Sequence, residues 1–167
     1  GFKCYIFLSP LWGNVRSLPR PLKQLLFKCE KVLHILGLTK VTSQNPKKYK
    51  PYSLTVNFKG NTLTSDKKQF NRLQTILREN TKLHSGTPTL GYLIAILKEI
   101  DELSLADLPN SKILVLLAEK ERITDNNAVM RFVRRHKFIE TEKIEKAHHE
   151  LLIEKEEIRS KSLNLIH

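Results

Sequence analysis

The stretch Ile113-Leu114-Val115-Leu116-Leu117 decides the fold. Five uninterrupted apolar residues between polar flanks suit a parallel strand, which is buried on both faces. Asp107, Leu108, Pro109 and Asn110 form a turn before it, and the polar loop 119–125 follows. Next comes an Asn-capped helix carrying Val129, Phe132 and Val133, and a weak alternation over 137–144 predicts one more strand. The loop Ala147-His148-His149-Glu150 leads into Leu151-Leu152-Ile153 and a last helix with Ile158, Leu163 and Ile166.

Upstream, Cys4 to Leu8 reads as a short buried strand closed by Ser9-Pro10, with Leu11-Trp12-Gly13 as a loop. Pro19 and Pro21 open a helix on which Leu22, Leu25, Leu26, Cys29, Val32, Leu33 and Leu36 follow the helical period, and Gly37 stops it. Residues 39–62 are basic and broken by Pro46, Pro51 and Gly60, which predicts a long mobile loop. Ser65 or Asp66 caps a second helix carrying Phe70, Leu73, Ile76 and Leu77. Gly86-Thr87-Pro88-Thr89 starts a third, with Leu90, Leu93, Ile94, Leu97 and Ile100 inward. The stripes at 22–36 and 90–100 read as core, and Cys4 and Cys29 as buried thiols. Strand, helical insertion, strand, helix, strand, helix is the order of an open α/β sheet.

Composition narrows the function classes. The 167 residues are 40% hydrophobic and 28% charged, enough to build a core and too apolar for disorder. No apolar run is long enough to cross a bilayer, and no export signal is expected. Two cysteines with no C-x-x-C pair make neither a disulfide framework nor a zinc site, so a reducing cytoplasm is the expected compartment. No cofactor motif is present. Because Gly1 runs almost at once into a strand pattern, a missing beginning is expected.

Charge is uneven. Residues 1–87 hold 16 Lys and Arg against 3 acids, whereas 88–167 hold 13 against 14. The excess is densest at Lys40, Lys47, Lys48 and Lys50 and again at Lys67 and Lys68. A one-sided basic surface attracts polyanions, either nucleic acid or an anionic membrane face, although a solvated lysine-rich surface has the same composition. Tyr49, Tyr52 and Phe58 lie near the basic run but match no recognition-helix, finger or RNP pattern, so no nucleic-acid partner is expected.

Ligands of open α/β sheets bind beyond the carboxyl ends of the strands. The loop 119–125 places carboxylates after the strong strand, and His149 follows the last predicted one. A carboxylate fixes the tautomer of an imidazole and stabilises its cation, so that the histidine can take a proton from a serine. The plainer readings are a surface histidine beside His148 and a loop carboxylate paired with Arg122. A metal set of His148, His149 and Glu150 lacks a second histidine at the i+4 spacing of zinc hydrolases.

The run from Leu114 through Glu121 to Asn126, followed by Ala147-His148-His149-Glu150-Leu151-Leu152-Ile153-Glu154, resembles the lysophospholipase-like branch of the α/β-hydrolases. These are relatives of the monoacylglycerol lipases and of the serine aminopeptidase group. Leu8-Ser9-Pro10, Leu63-Thr64-Ser65-Asp66 and Gly86-Thr87-Pro88-Thr89-Leu90-Gly91-Tyr92 also look like this branch. The resemblance implies acyl-ester hydrolysis of a lysophospholipid or monoacylglycerol by a serine, an acid and a histidine. It implies His149 as the histidine and Glu121 as the acid, in a column where many relatives carry aspartate; Asp125 is the alternative acid. It implies a strand over 1–10 after the nucleophile helix, a basic helical lid over 11–103, and the last strands and helices over 104–167. A basic lid suits peripheral contact with an anionic membrane at its inner face.

None of the six glycines belongs to a G-x-S-x-G nucleophile elbow, which in the family lies upstream of the strand at Cys4 to Leu8. The chain therefore looks like the C-terminal half of such a hydrolase and is expected to be inactive without a complementary N-terminal half. A non-enzymatic remnant that binds lipid or a partner is the alternative.

Overall fold

The computed structural model describes residues 4–13, 19–42, 45, 48–103, 105, 106, 108 and 111–167. Three parallel strands form one sheet in the order β1-β2-β3: β1 is Cys4–Leu8, β2 is Lys112–Ala118 and β3 is Ile139–Ile144. Tyr5 lies beside Ile113, and Ile113 beside Ile139. Parallel neighbours need crossovers, and the chain supplies a long one between β1 and β2 and a short one between β2 and β3. The long crossover contains α1 (Arg20–Ile35), α2 (Tyr52–Thr55), α3 (Lys67–Glu79) and α4 (Leu90–Leu103). The short one is α5 (Asn126–Val133), and α6 (Glu156–Ile166) follows β3.

The apolar run of β2 is buried because both its faces are covered. Ile113, Val115 and Leu117 join Ile139 on one face, against Val129, Phe132 and Val133 of α5. Leu116, Ala118 and Ile144 lie on the other with Ala147 and Leu151, and Ile158 and Ile166 of α6 pack there. Trp12 seals the first layer between Phe7 and Phe132, with ring centroids 5.0 and 4.9 Å away.

Several sequence expectations change. β1 is an edge rather than a buried strand: Cys4 is exposed and Ile6 is 38% exposed. Cys29 is half-buried, so neither thiol is sealed in the core. Residues 39–62 are not one loop, because α2 and single turns of 3-10 helix at Leu38–Lys40 and Phe58–Gly60 interrupt the described part. The stripe at 22–36 is not core, since α1 buries no residue. On α4, Ile94 and Leu97 are buried while Leu93 is not, and on α6 it is Ser162 rather than Leu163 that is buried. Of the turn at 107–110, Asp107, Pro109 and Asn110 lie outside the described residues.

The caps follow from local chemistry. Asp66, one of the two candidates, accepts from the N–H groups of Lys68 and Gln69 at 2.7 and 3.0 Å. Asp125 rather than Asn126 caps α5, its Oδ1 accepting from Asn127 N–H at 2.9 Å. Asn126 is the first helical residue, and its Nδ2 donates to the Ala118 carbonyl at 2.8 Å. Gly37 ends α1 at φ 72°, a left-handed conformation that costs glycine least.

Candidate active site

Where β2 ends, the chain turns and is tied to the end of β3: Glu119 N–H donates to Ile144 O at 3.1 Å and Lys120 N–H to Ala147 O at 2.8 Å. Glu121 comes next, and its side chain curls over the backbone that follows it. Oε1 accepts from the N–H groups of Arg122, Ile123 and Thr124 at 2.9, 2.7 and 3.2 Å. Three backbone donors hold that oxygen, and Oε2 faces His149, whose Nδ1 lies 2.8 Å away. An ionised carboxylate only accepts, so Nδ1 carries the proton and donates it, which leaves Nε2 as the basic nitrogen. The pair is sheltered, with the Glu121 side chain 2% exposed and that of His149 19%.

The two pKa values are pushed apart. Burial alone would raise the Glu121 carboxyl, but the hydrogen bond and charge of His149 and the N–H groups of Ile123 and Thr124 outweigh it and hold the value below the carboxylate norm. Burial alone would lower His149; its bond to Glu121, with the charges of Glu121 and Glu150, brings it above the ordinary histidine value. His148 moves the opposite way. Burial, helped by the charges of Lys120 and Arg122, lowers it against the pull of Glu154. Two adjacent histidines are thus separated by their surroundings.

A second buried carboxylate sets the position of the histidine loop. Glu154 is 1% exposed. Its Oε1 accepts from Ser65 N–H at 2.9 Å and His148 N–H at 2.7 Å, and its Oε2 accepts from the Ser65 hydroxyl at 2.5 Å and Lys155 N–H at 3.2 Å. Thr64 Oγ1 donates to Ile153 O at 2.7 Å, while His149 N–H and Glu150 N–H reach the carbonyls of Thr62 and Leu63 at 3.3 and 2.8 Å. Asn61 shapes that segment, accepting through Oδ1 from Leu63 and Thr64 N–H at 2.9 and 3.0 Å. Residues 61–66, within the expected insertion, are therefore clasped to residues 148–155. In the sequence Ser65 reads as a candidate helix cap and Glu154 only as part of a motif; a carboxylate whose partner stands 89 positions away leaves no local signal.

Asp125, the alternative acid, does not meet the histidine. Beyond its cap, its Oδ2 lies 3.4 Å from Arg131. At the end of β1, Ser9 takes a positive φ of 43° and is buried. Its hydroxyl, that of Thr124 and the Asn126 Oδ1 are buried with no hydrogen-bond partner among the described residues. The described residues hold no group of three His, Cys, Asp or Glu able to bind a metal ion, and none of their helices is long and apolar enough to cross a membrane.

No protein-family model and no curated protein matches the sequence. Solved structures do. A soluble variant of the monoglyceride lipase from Saccharomyces cerevisiae, solved with a substrate analog, matches with a TM-score of 0.62 at 12% identity, over 98% of this chain and 54% of that one. The monoacylglycerol lipase of Paleococcus ferrophilus matches with a TM-score of 0.65 at 13% identity, over 98% of this chain and 56% of that one. At such identities the likeness is one of fold: the chain has part of an α/β-hydrolase fold as in monoglyceride lipases, as the motifs implied. It spans about half the length of these proteins.

Proposed function

We propose that this chain is the C-terminal half of a serine ester hydrolase that cleaves monoacylglycerol or lysophospholipid. The observation that carries the reading is the His149 Nδ1–Glu121 Oε2 contact of 2.8 Å at the carboxyl ends of adjacent strands in a hydrolase fold. In this reading His149 Nε2 takes the proton of a serine supplied by a G-x-S-x-G segment outside these residues, and Glu121 stabilises the imidazolium that forms. The buried hydroxyls of Ser9 and Thr124 lie at the end of the sheet where such a segment would dock. Residues 11–103 act as the lid over the acyl chain. The lysophospholipid alternative rests on the motif resemblance, and monoacylglycerol on the lipase-like fold. The working place is the cytoplasm, at the anionic inner face of a membrane.

The test is a polypeptide joining this chain to a half that bears the nucleophile. It is expected to hydrolyse monoacylglycerol and to react with a fluorophosphonate probe, with His149→Ala lowering kcat by about three to four powers of ten. Because catalysis needs neutral imidazole, the acid limb of kcat/KM is expected above the ordinary histidine value, and Glu121→Gln should move it to lower pH. Equal rates for parent and His149→Ala would sink the reading. The alternative reading is a lipid-binding remnant without turnover. In that case the probe labels no cellular product that carries this segment.

A further inference from the structure

The acid and the histidine of the candidate site are held by different means. Glu121 is fixed within its own turn, since Oε1 takes the N–H groups of the three residues that follow it. The loop that carries His149 is held instead from distant parts of the chain. At its start, Glu119 Oε2 accepts from Lys146 N–H at 2.8 Å, and Lys146 takes a φ of 60°, a left-handed conformation uncommon outside glycine. Such backbone persists where neighbouring contacts impose it. Further along, one oxygen of Glu154 takes the N–H groups of both Ser65 and His148, so a residue of the long crossover and the neighbour of His149 share a single acceptor. Ser65 directly precedes Asp66, the cap of α3, and Thr64 Oγ1 accepts from Asp66 N–H at 3.0 Å. A displacement of α3 is therefore passed to His148 through one buried carboxylate, while Glu121 stays where its turn puts it.

We propose that Ser65 and Glu154 are positioning residues through which the insertion controls His149: the imidazole faces its carboxylate only while the start of α3 is seated against the histidine loop. Neither residue touches a reacting atom. They act through the His148 N–H, one peptide away from His149, and a misplacement of about 1 Å at a catalytic group can cost about a hundredfold in rate. The inference rests on the reading of residues 11–103 as a lid. A lid that moves with α3 carries the base away from the acid, and one that seats returns it. Access to the site and readiness of its base are then a single event. The placement of the imidazole can be measured without any hydrolysis, so the two readings can fail separately.

The experiment is histidine NMR titration of the full chain. Ser65→Ala removes one hydroxyl and keeps the N–H that Glu154 also accepts, so the fold is expected to survive it. The raised His149 value should fall toward that of an ordinary histidine in this variant, and Ser65→Thr, which restores a hydroxyl, should bring it back. Gln74→Ala is the comparison. Gln74 Nε2 donates to the carbonyls of Ser53 and Val56 at 2.7 and 3.3 Å, tying α3 to the α2 segment without touching Glu154. Its loss loosens the insertion elsewhere and should leave His149 unmoved. An unchanged His149 in Ser65→Ala would overturn the proposal, and so would equal falls in Ser65→Ala and Gln74→Ala, the mark of general loosening. In the joined enzyme, Ser65→Ala should lower kcat about tenfold with KM kept, and its acid limb should move to lower pH. A change confined to KM would overturn the proposal as well. A joined enzyme that is active and indifferent to Ser65→Ala would remove this inference and leave the hydrolase reading intact. One that hydrolyses nothing, although His149 responds to Ser65→Ala in the titration, would do the reverse.

Discussion

At the scale of the residue, Glu121 and His149 make a contact whose pH behaviour can be stated in advance. The lowered Glu121 value contributes stability that is present above the ordinary carboxylate range and is lost as pH falls through the folded value. The raised His149 value contributes stability that is complete below the ordinary histidine range and is lost as pH rises through its folded value. Both are present only in the mildly acidic window between. Glu121→Gln is therefore expected to cost about 1 kcal/mol there, read from urea denaturation, and less on either side. Histidine NMR titration should show the His149 value falling in Glu121→Gln and staying put in Asp125→Asn. A fall in the Asp125 variant instead would mean that the acid has been misassigned. Glu154→Gln sets an amide against four donors in a buried site and should cost about 2–3 kcal/mol.

At the scale of the element, the approach of the β1–α1 loop to α5 is the sharpest constraint. Gly13 is buried, its carbonyl accepts from Asp125 N–H at 3.1 Å, and a Cβ placed on it would stand 2.2 Å from that of Ala128. Gly13→Ala is expected to destabilise by about 1–3 kcal/mol. Adding Ala128→Gly should recover part of that loss despite its own helix penalty, and thermal melts of the two variants decide it. The elements were legible in the sequence in proportion to how local their causes are. β2 announced itself because an apolar run buried on both faces has no competing explanation. The cap of α5 was misplaced by one residue because Asp125 and Asn126 are both good capping types, and only geometry shows which one turns out of the helix. The stripe on α1 was read correctly as a face and wrongly as core. Periodicity reports which residues lie together, not what covers them. The pairing of Glu121 with His149 was visible as an order of loops, whereas the clasp around Glu154 was not, since its donors come from the far side of the long crossover.

At the scale of the whole molecule, the sheet has one strand half-covered. Beyond β1 no further strand pairs among the described residues, and Ile6 lies there 38% exposed. An open parallel edge invites another chain. The chain alone is expected to self-associate as its concentration rises, and Ile6→Lys should reduce that in sedimentation velocity while leaving the far-UV spectrum unchanged. A monodisperse parent at high concentration would show that the edge is already protected. The clasp between residues 61–66 and 148–155 has a consequence for shortened chains. Glu154 lies downstream of both site residues, and so does all of α6. A nonsense codon or a protease cut just after Glu150 would thus spare every atom of Glu121 and His149 and still release the histidine loop from Ser65. A sequence inspection of that shortened product would record an intact acid and histidine, while histidine NMR is expected to find an imidazole no longer held by its carboxylate.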